Sequence, residues 1–250
     1  MQAMIFAAGM GTRLKPLTDV IPKALVPVGD KPLLQHVMER LQEAGASHVV
    51  VNVHHKAGQI CEYLRLAEKS YGYSVAISDE TESLLETGGG IKKAQRLFAS
   101  DAPILIHNVD ILSNVNLRSL YDSIGSDDAL LLVSQRKTKR YLLFSDDMRL
   151  VGWTNIETGE VKSPYPELNP AECRMYAFSG IHVFGTTLFS DMDEFPERFP
   201  IMDFYLKVCS RRNIRGYVKD DLRLLDVGKL DTLEASESFA ASLLTDGVQG

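Results

Sequence analysis

Three observations predict an α/β fold built on a mixed, mostly parallel central sheet flanked by helices. Short β-branched runs alternate with amphipathic stretches through the first half of the chain, the rhythm of parallel βα units. The first run ends in a glycine-bearing turn, where open sheets of this class hold ligands. The chain of 250 residues, 45% hydrophobic and 24% charged, is long enough for one large core and lacks the bias of disordered or fibrous sequences. No internal repeat, linker or low-complexity segment interrupts it, so a single domain over 1–250 is expected.

The elements follow in order. Ala3–Ala8 is an unbroken apolar run and predicts a buried strand. From Pro32 to Ala44, Leu34, Val37, Met38 and Leu41 fall on one helical face with Gln35, Glu39, Arg40 and Glu43 opposite, and Gly45 is placed to end the helix. Val49–Val53 predicts a second strand, Ala57–Ser70 a second helix and Ser74–Ser78 a third strand. A third helix is expected after Gly90, and a fourth strand, Ile104–His107, stops near Asp110. After Ala129–Val133 the rhythm changes. Tyr141–Phe144 and Leu150–Asn155 predict a hairpin around Asp146 and Asp147, and the polar, proline-bearing Glu157–Glu172 predicts a loop, so that about 134–174 forms a less regular excursion. Met175–Phe184 returns as a strand, Ile201–Cys209 as an apolar helix, and Ile214–Val218 and Leu224–Asp226 as short strands. Leu230–Leu244 closes the fold, with the last six residues expected to fray.

Bulk charge removes several classes of function. A formal net charge of −6 argues against a surface that neutralises many nucleic-acid phosphates. The N-terminus MQAMIFAAGMGTRL has no basic segment followed by a long apolar stretch, so no signal peptide is expected, and no apolar run reaches membrane-spanning length. Three widely spaced cysteines, Cys61, Cys173 and Cys209, suit a reducing compartment and neither a zinc site nor a disulfide scaffold. Cytoplasm is the expected location.

The most informative stretch is FAAGMGTRLKPLTDVIPKALVPV, Phe6 to Val28. Its glycines place backbone N–H groups where an anion can be held. Leu14 occupies the position of the third glycine in a dinucleotide fingerprint, and no Gly-Lys-Ser/Thr follows for a P-loop. Pro16, Pro22 and Pro27 are expected to keep helix from starting at once and to hold an extended segment that carries Arg13 and Lys23 to one ligand. An isolated Arg or Lys would be an ordinary solvated charge. The whole stretch, however, resembles the N-terminal signature of the sugar-1-phosphate nucleotidylyltransferases, A-A-G-x-G-T-R-L-x-P-L-T-x-x-x-P-K-x-L-x-P-V, at every fixed position. The resemblance implies a Rossmann-like nucleotide-diphospho-sugar transferase fold. It also implies contacts to base and ribose from Ala7, Ala8, Gly9 and Gly11, and to phosphates from Gly11, Thr12, Arg13 and Lys23.

Four further stretches resemble parts of that family. Glu86-Thr87-Gly88-Gly89-Gly90 is similar to its base- and sugar-facing loop, in the form nearest the N-acetylmuramate-1-phosphate uridylyltransferase branch. This implies nucleotide contacts from Thr87 and Gly88 and sugar contacts from Glu86 and Gly89. Asn108-Val109-Asp110 follows a strand and supplies a carboxylate of the kind Mg²⁺ takes beside substrate phosphates. The family usually has glycine where Val109 stands, and Asn108 is implied to face the sugar. Leu225-Asp226-Val227-Gly228 resembles the late W-x-D-x-G-T segment, with Leu224 and Lys229 replacing its tryptophan and threonine, and implies Asp226 as second metal ligand. Alone, either aspartate would read as a turn or helix-cap residue. Phe178-Ser179-Gly180-Ile181 is similar to the sugar-contacting strand, Gly180 letting a sugar lie against backbone, although a glycine-marked bulge explains it as well. The Glu-Lys-Pro sugar clamp of many relatives has no equivalent in Glu157–Glu172. His54, His55, His107 and Trp153 are expected to be structural.

The resemblance implies a Mg²⁺-assisted transfer in which Arg13, Lys23 and Asp110 are catalytic and Asp110 and Asp226 bind the metal. NTP and a sugar 1-phosphate are the expected partners, without nucleic acid or membrane, and a homo-oligomer is left open. Uridylyl transfer to an amino-sugar 1-phosphate competes with guanylyl transfer to mannose- or heptose-1-phosphate, cytidylyl transfer to phosphocholine, and a non-catalytic sugar-nucleotide sensor.

Overall fold

The computed structural model describes residues 1–67, 70–99 and 101–246. Its contacts divide the chain into two compact units: Met1–Leu84, Ile106–Arg118 and the stretch from Leu222 form one, and Leu85–Leu105 with Ser119–Asp221 form the other. In chain order the first unit holds β1 (Gln2–Phe6), α1 (Leu17–Val20), the short strands β2 (Pro27–Val28) and β3 (Lys31–Pro32), α2 (Leu33–Glu43), β4 (His48–Val53), α3 (Ala57–Ala67) and β5 (Ser74–Asp79). The second unit begins with α4 (Glu86–Ala94), and the chain crosses back through β6 (Ile104–Asn108) to β7 (Ile111–Ser113). After α5 (Leu117–Asp122), the second unit continues with β8 (Ala129–Ser134), β9 (Arg140–Phe144), β10 (Leu150–Asn155), β11 (Glu160–Lys162) and β12 (Arg174–Phe184). It ends with α6 (Phe189–Met192), α7 (Ile201–Val208) and β13 (Ile214–Val218); β14 (Leu224–Asp226) and α8 (Leu230–Asp246) belong to the first.

The first unit's strands lie in the order β6-β1-β4-β5, and β1, β4 and β5 run parallel, with Ala3 opposite Val49 and Val49 opposite Val75. Consecutive residues of β1 and β4, Ala3, Met4 and Ile5 with Val49, Val50 and Val51, are all buried, because both sheet faces are covered. This is why β-branched runs, and not alternation, marked these strands. The predicted apolar face of α2 is buried as expected, through Leu34, Val37, Met38 and Leu41. Arg40, assigned to the polar face, instead reaches inward to donate to Ser113 Oγ at 3.2 Å and to the Val115 carbonyl, and burial lowers its pKa to about 10. A long aliphatic stem lets its head cross the helix edge, which periodicity cannot show.

The second unit is mostly antiparallel. β12 pairs with β8 and β9, β9 with β10 and β10 with β11, while β13 runs parallel to β8. The α/β class and the mixed sheet are therefore as the sequence predicts. The hairpin around Asp146 and Asp147 is present, with Met148 at φ 64 in its turn. Part of the expected 157–172 loop is strand β11, whose Val161 faces Thr154. All three residues of β11 are exposed, so this edge strand carries no apolar pattern to reveal it. α4 also begins earlier than expected, taking Gly88, Gly89 and Gly90 into its first turns. The predicted end of α3 at Ser70 and the expected fraying run into residues 68–69 and 247–250, outside those described. No described helix is long and apolar enough to cross a membrane.

Candidate active site

At the carboxyl edge of the first unit's sheet, buried polar groups tie three strands together. The amides of Ala7 and Ala8, just past β1, donate to Asn52 Oδ1 at 2.7 and 3.3 Å. Asn52 Nδ2 in turn donates to Glu80 Oε1 at 2.7 Å, and the Glu80 amide to the Val53 carbonyl at 2.8 Å. Both side chains are buried, so each needs its partner. The two amides implied to meet a nucleotide are thus held from behind by Asn52, which fixes the backbone from which Gly9 emerges.

The turn itself depends on small residues. A Cβ on Gly9 would meet nothing within 4 Å, so its backbone is open to an incoming group. Gly11 has φ 64, and a Cβ there would lie 2.7 Å from Thr18 Cγ2 and 3.0 Å from Lys23 Cβ. Thr18 Oγ1 donates to the Gly11 carbonyl at 2.9 Å, closing the loop. Thr12 and Arg13 are exposed on a 3₁₀ turn anchored by buried Leu14. The segment that follows is not extended: Pro16 precedes α1 and Pro22 precedes a second 3₁₀ turn, Lys23–Leu25. Proline's fixed φ suits the entry to a helical turn, and these prolines start short turns where the sequence suggested that they block them.

Lys23, only 9% exposed, donates from Nζ to Asp110 Oδ2. Asp110 leads into β7, which pairs antiparallel with β14, Ile111 opposite Asp226. The Val227 amide donates to the Asp110 carbonyl at 2.8 Å. The two aspartates, 116 residues apart in sequence, therefore flank the end of one two-stranded ladder. Arg13 arrives beside them: a Cβ on Gly228 would lie 2.6 Å from Asp226 Oδ1 and 2.7 Å from Arg13 Nη2. Among the described residues no three His, Cys, Asp or Glu side chains cluster as a metal cage. The Mg²⁺ implied by the resemblance needs no such cage, since it commonly takes one or two carboxylates and completes its octahedron with water and substrate phosphate. The donor chemistry of Asp110 and Asp226 fits it. Asn108 ends β6, and buried Val109 donates its amide to the Phe6 carbonyl at 3.2 Å.

The remaining predicted residues belong to the second unit. Glu86, at φ 62, pairs with Arg198 at 3.1 Å. Thr87 Oγ1 accepts from the Ile201 amide at 2.9 Å, capping α7 from outside its own chain segment. The Gly88 and Gly89 amides both donate to the Phe199 carbonyl, at 2.8 and 3.1 Å. A Cβ on Gly88 would lie 2.3 Å from the Phe199 ring and one on Gly89 2.1 Å from the Glu197 carbonyl oxygen. These glycines thus serve a close helix-to-loop contact within their own unit. Gly180, at φ 74, lies in the interrupted register between Phe178 and His182, where β12 bulges away from β8.

The sequence model of a family described as nucleotidyl transferase matches residues 2–242. The chain belongs to the nucleotidyl transferase family. An N-acetylmuramate alpha-1-phosphate uridylyltransferase of Caulobacter vibrioides is 46% identical over 125 residues, 50% of this chain and 51% of that protein. A mannose-1-phosphate guanyltransferase of Pichia angusta is 37% identical over 123 residues, 49% of this chain and 34% of that one. The chain spans about half the length of the first relative and about a third of the second. Among solved structures, a Bacillus anthracis protein described as a candidate glucose-1-phosphate thymidylyltransferase, in complex with sucrose, shares the fold. The TM-score is 0.80 at 17% identity, over 96% of this chain and 95% of that one.

In this nucleotidyl transferase, sequence reasoning passed over Asn52 and Glu80. A signal existed for the first: an asparagine inside the run Val49–Val53 is a polar group that must be satisfied in a buried strand. Glu80 gave none, because an acid after a strand reads as a turn residue. His54 Nδ1 lies 2.6 Å from the Glu80 carbonyl, and His107 is buried.

Proposed function

We propose that this chain joins an NTP and a sugar 1-phosphate into an NDP-sugar and pyrophosphate, and that its own reaction is uridylyl transfer to an amino-sugar 1-phosphate. The observation that carries this reading is the meeting of Lys23 with Asp110 at the ladder end where Asp226 and Arg13 also lie. Two cations and two carboxylates from three separated stretches suit a site that must receive two polyanions. The uridylyl and amino-sugar parts are supported by the Caulobacter vibrioides relative and by the Glu86-Thr87-Gly88-Gly89-Gly90 sequence. Guanylyl transfer to mannose 1-phosphate is the second reading, favoured by the Pichia angusta relative.

The chemistry asks little of acid–base groups. A phosphate monoester has a second pKa of about 6, so near neutral pH the attacking oxygen is already anionic. A bond forms from that oxygen to the α-phosphorus while the bond to the bridging oxygen of the β-phosphate breaks, and pyrophosphate carries away the electron pair. The absence of a histidine from this cluster is therefore no obstacle. Exposed Arg13 and buried Lys23 would stabilise the charge on the departing pyrophosphate, and the open backbone at Gly9 admits the nucleotide. Asp110 and Asp226 would hold a divalent cation such as Mg²⁺, which when bound supplies positive charge shared by the two phosphates.

The test is pyrophosphate release from a panel of NTPs and sugar 1-phosphates, with UTP and an amino-sugar 1-phosphate expected to be the best pair. Arg13→Ala and Asp110→Asn should each lower turnover by roughly a hundredfold or more, equivalent to about 3–4 kcal/mol of lost transition-state stabilisation, while remaining folded. Binding of sugar nucleotide without pyrophosphate release from any pair would convert the reading to that of a sensor.

A further inference from the structure

Lys23 and Asp110 both belong to the first unit and both are sheltered from water, the lysine side chain 11% exposed and the aspartate 17%. The lysine amine donates to Asp110 Oδ2. A carboxylate so far removed from water needs a positive partner, because taking the partner from a buried pair leaves an uncompensated charge. Here the chain supplies that partner itself. The base of the lysine is fixed: it opens the 3₁₀ turn Lys23–Leu25, and its Cβ lies 3.0 Å from where a Cβ on Gly11 would stand. Beyond Cβ the flexible stem leaves the amine able to change partner. Nearby, Arg13 Nη2 and Asp226 Oδ1 converge on Gly228. Two cations thus face two carboxylates, and the formal charges of the four groups cancel.

That balance bears on the divalent cation proposed for Asp110 and Asp226. Lys23 already holds one of the two oxygens that Asp110 can offer, and its positive charge lies beside the other. A neutral cluster gives a free divalent ion no net attraction, whereas the same ion accompanied by a triphosphate comes with its own counter-charge. The two amine donors that Asp110 leaves unused can meet phosphate oxygens first, and the stem lets the amine follow them. We propose that Lys23 is a resident counter-ion that keeps free divalent cation from Asp110, and that nucleotide phosphates relieve this competition, so that cation and nucleotide are taken up together. This rests on the cation reading above and adds an order of binding to it.

The test is calorimetric Mn²⁺ binding to the nucleotide-free full chain, wild type against Lys23→Met, with thermal midpoints to show that both are folded. Lys23→Met is expected to bind Mn²⁺ roughly tenfold to a hundredfold more tightly, the usual range of coupling between two binding events. A lysine that only met phosphate would leave the affinity unchanged, and one that only held Asp110 in place would lower it on removal. Either result overturns the proposal. Mn²⁺ should also strengthen UTP binding about tenfold more in wild type than in the variant, chelation in solution being common to both. Equal strengthening overturns the link to nucleotide. Should the variant not fold, amine acetylation of the wild type, read by peptide mass spectrometry, asks the same question. Lys23 labelling should rise about fivefold or more when Mn²⁺ saturates the protein, relative to half-exposed Lys162 in the second unit. No rise overturns the competition. Mn²⁺ binding to neither protein overturns the cation reading and this proposal with it, whereas equal binding to both overturns this proposal alone.

Discussion

Gly228 stands between two charges that distant parts of the chain deliver. The loop after β1 brings Arg13, β14 brings Asp226, and the space that a methyl group would need is filled by their side-chain tips, 2.7 and 2.6 Å away. Both tips are flexible, so Gly228→Ala should push them apart without disturbing the backbone. The expected outcome is a loss of at least about tenfold in kcat/KM, one misplaced electrostatic contact, with a thermal midpoint within about 2 °C of wild type. Pyrophosphate release and a melting curve on the same preparation check it. Activity within twofold of wild type would mean that this pair need not be positioned for the reaction. Lys23 differs in kind, because its stem is packed against Gly11 and one of its three amine donors meets Asp110, which leaves two for a phosphate.

Among the elements, α4 shows how a motif can be legible for one reason and used for another. The glycines of Glu86-Thr87-Gly88-Gly89-Gly90 let the helix meet the segment 197–199 with backbone against backbone, its amides on the Phe199 carbonyl. A methyl on Gly89 would sit 2.1 Å from the Glu197 carbonyl oxygen, which is main chain and cannot swing aside. Gly89→Ala should therefore destabilise the protein by about 1–3 kcal/mol, the usual cost of overpacking. That is a fall of several degrees in Tm at this chain length, read by thermal or urea unfolding. An unchanged midpoint would show that the contact yields freely. The parallel strands, the amphipathic face of α2 and the loop from Gly9 to Lys23 were all legible, because each writes a local pattern: β-branched runs, 3.6-residue periodicity, glycine with cations. What was not legible depends on partners far along the chain. The Asp110–Asp226 ladder, the Asn52–Glu80 pair and the inward reach of Arg40 are pairings between segments, and no local pattern specifies them. Pro16 and Pro22 misled for a narrower reason, since proline both ends and begins helical turns and the sequence alone does not say which.

For the molecule as a whole, two buried imidazoles set the acid limit of stability. His182, on β12 in the second unit, has neither ring nitrogen hydrogen-bonded among the described residues and packs against Phe178 and Tyr205. Desolvation lowers its pKa to about 3. His107, on β6, is lowered to about 3 as well, first by burial and then by the charge of Arg40. In the unfolded chain each would titrate near 6.5. Between pH 6.5 and 3 the unfolded state therefore binds protons that the folded state refuses, and stability must fall as pH is lowered through that window. Above about 6.5 both forms are neutral and the effect vanishes. Each histidine contributes a slope approaching about 1.4 kcal/mol per pH unit near the middle of the window, where the unfolded imidazole is protonated and the folded one is not. The cleanest interval is pH 5 to 6, above the range in which most carboxylates begin to protonate. Urea unfolding there should give a proton-linked slope close to two, and His182→Phe, which keeps an aromatic ring between Phe178 and Tyr205, should remove about one proton from it. The variant should also be less sensitive to acid than wild type even if its stability at pH 7.5 is lower, because the slope reports protonation and the intercept reports packing. Parallel pH profiles for the two proteins would mean that His182 takes up no proton on unfolding that it lacked when folded, and that its burial does not set the acid limit.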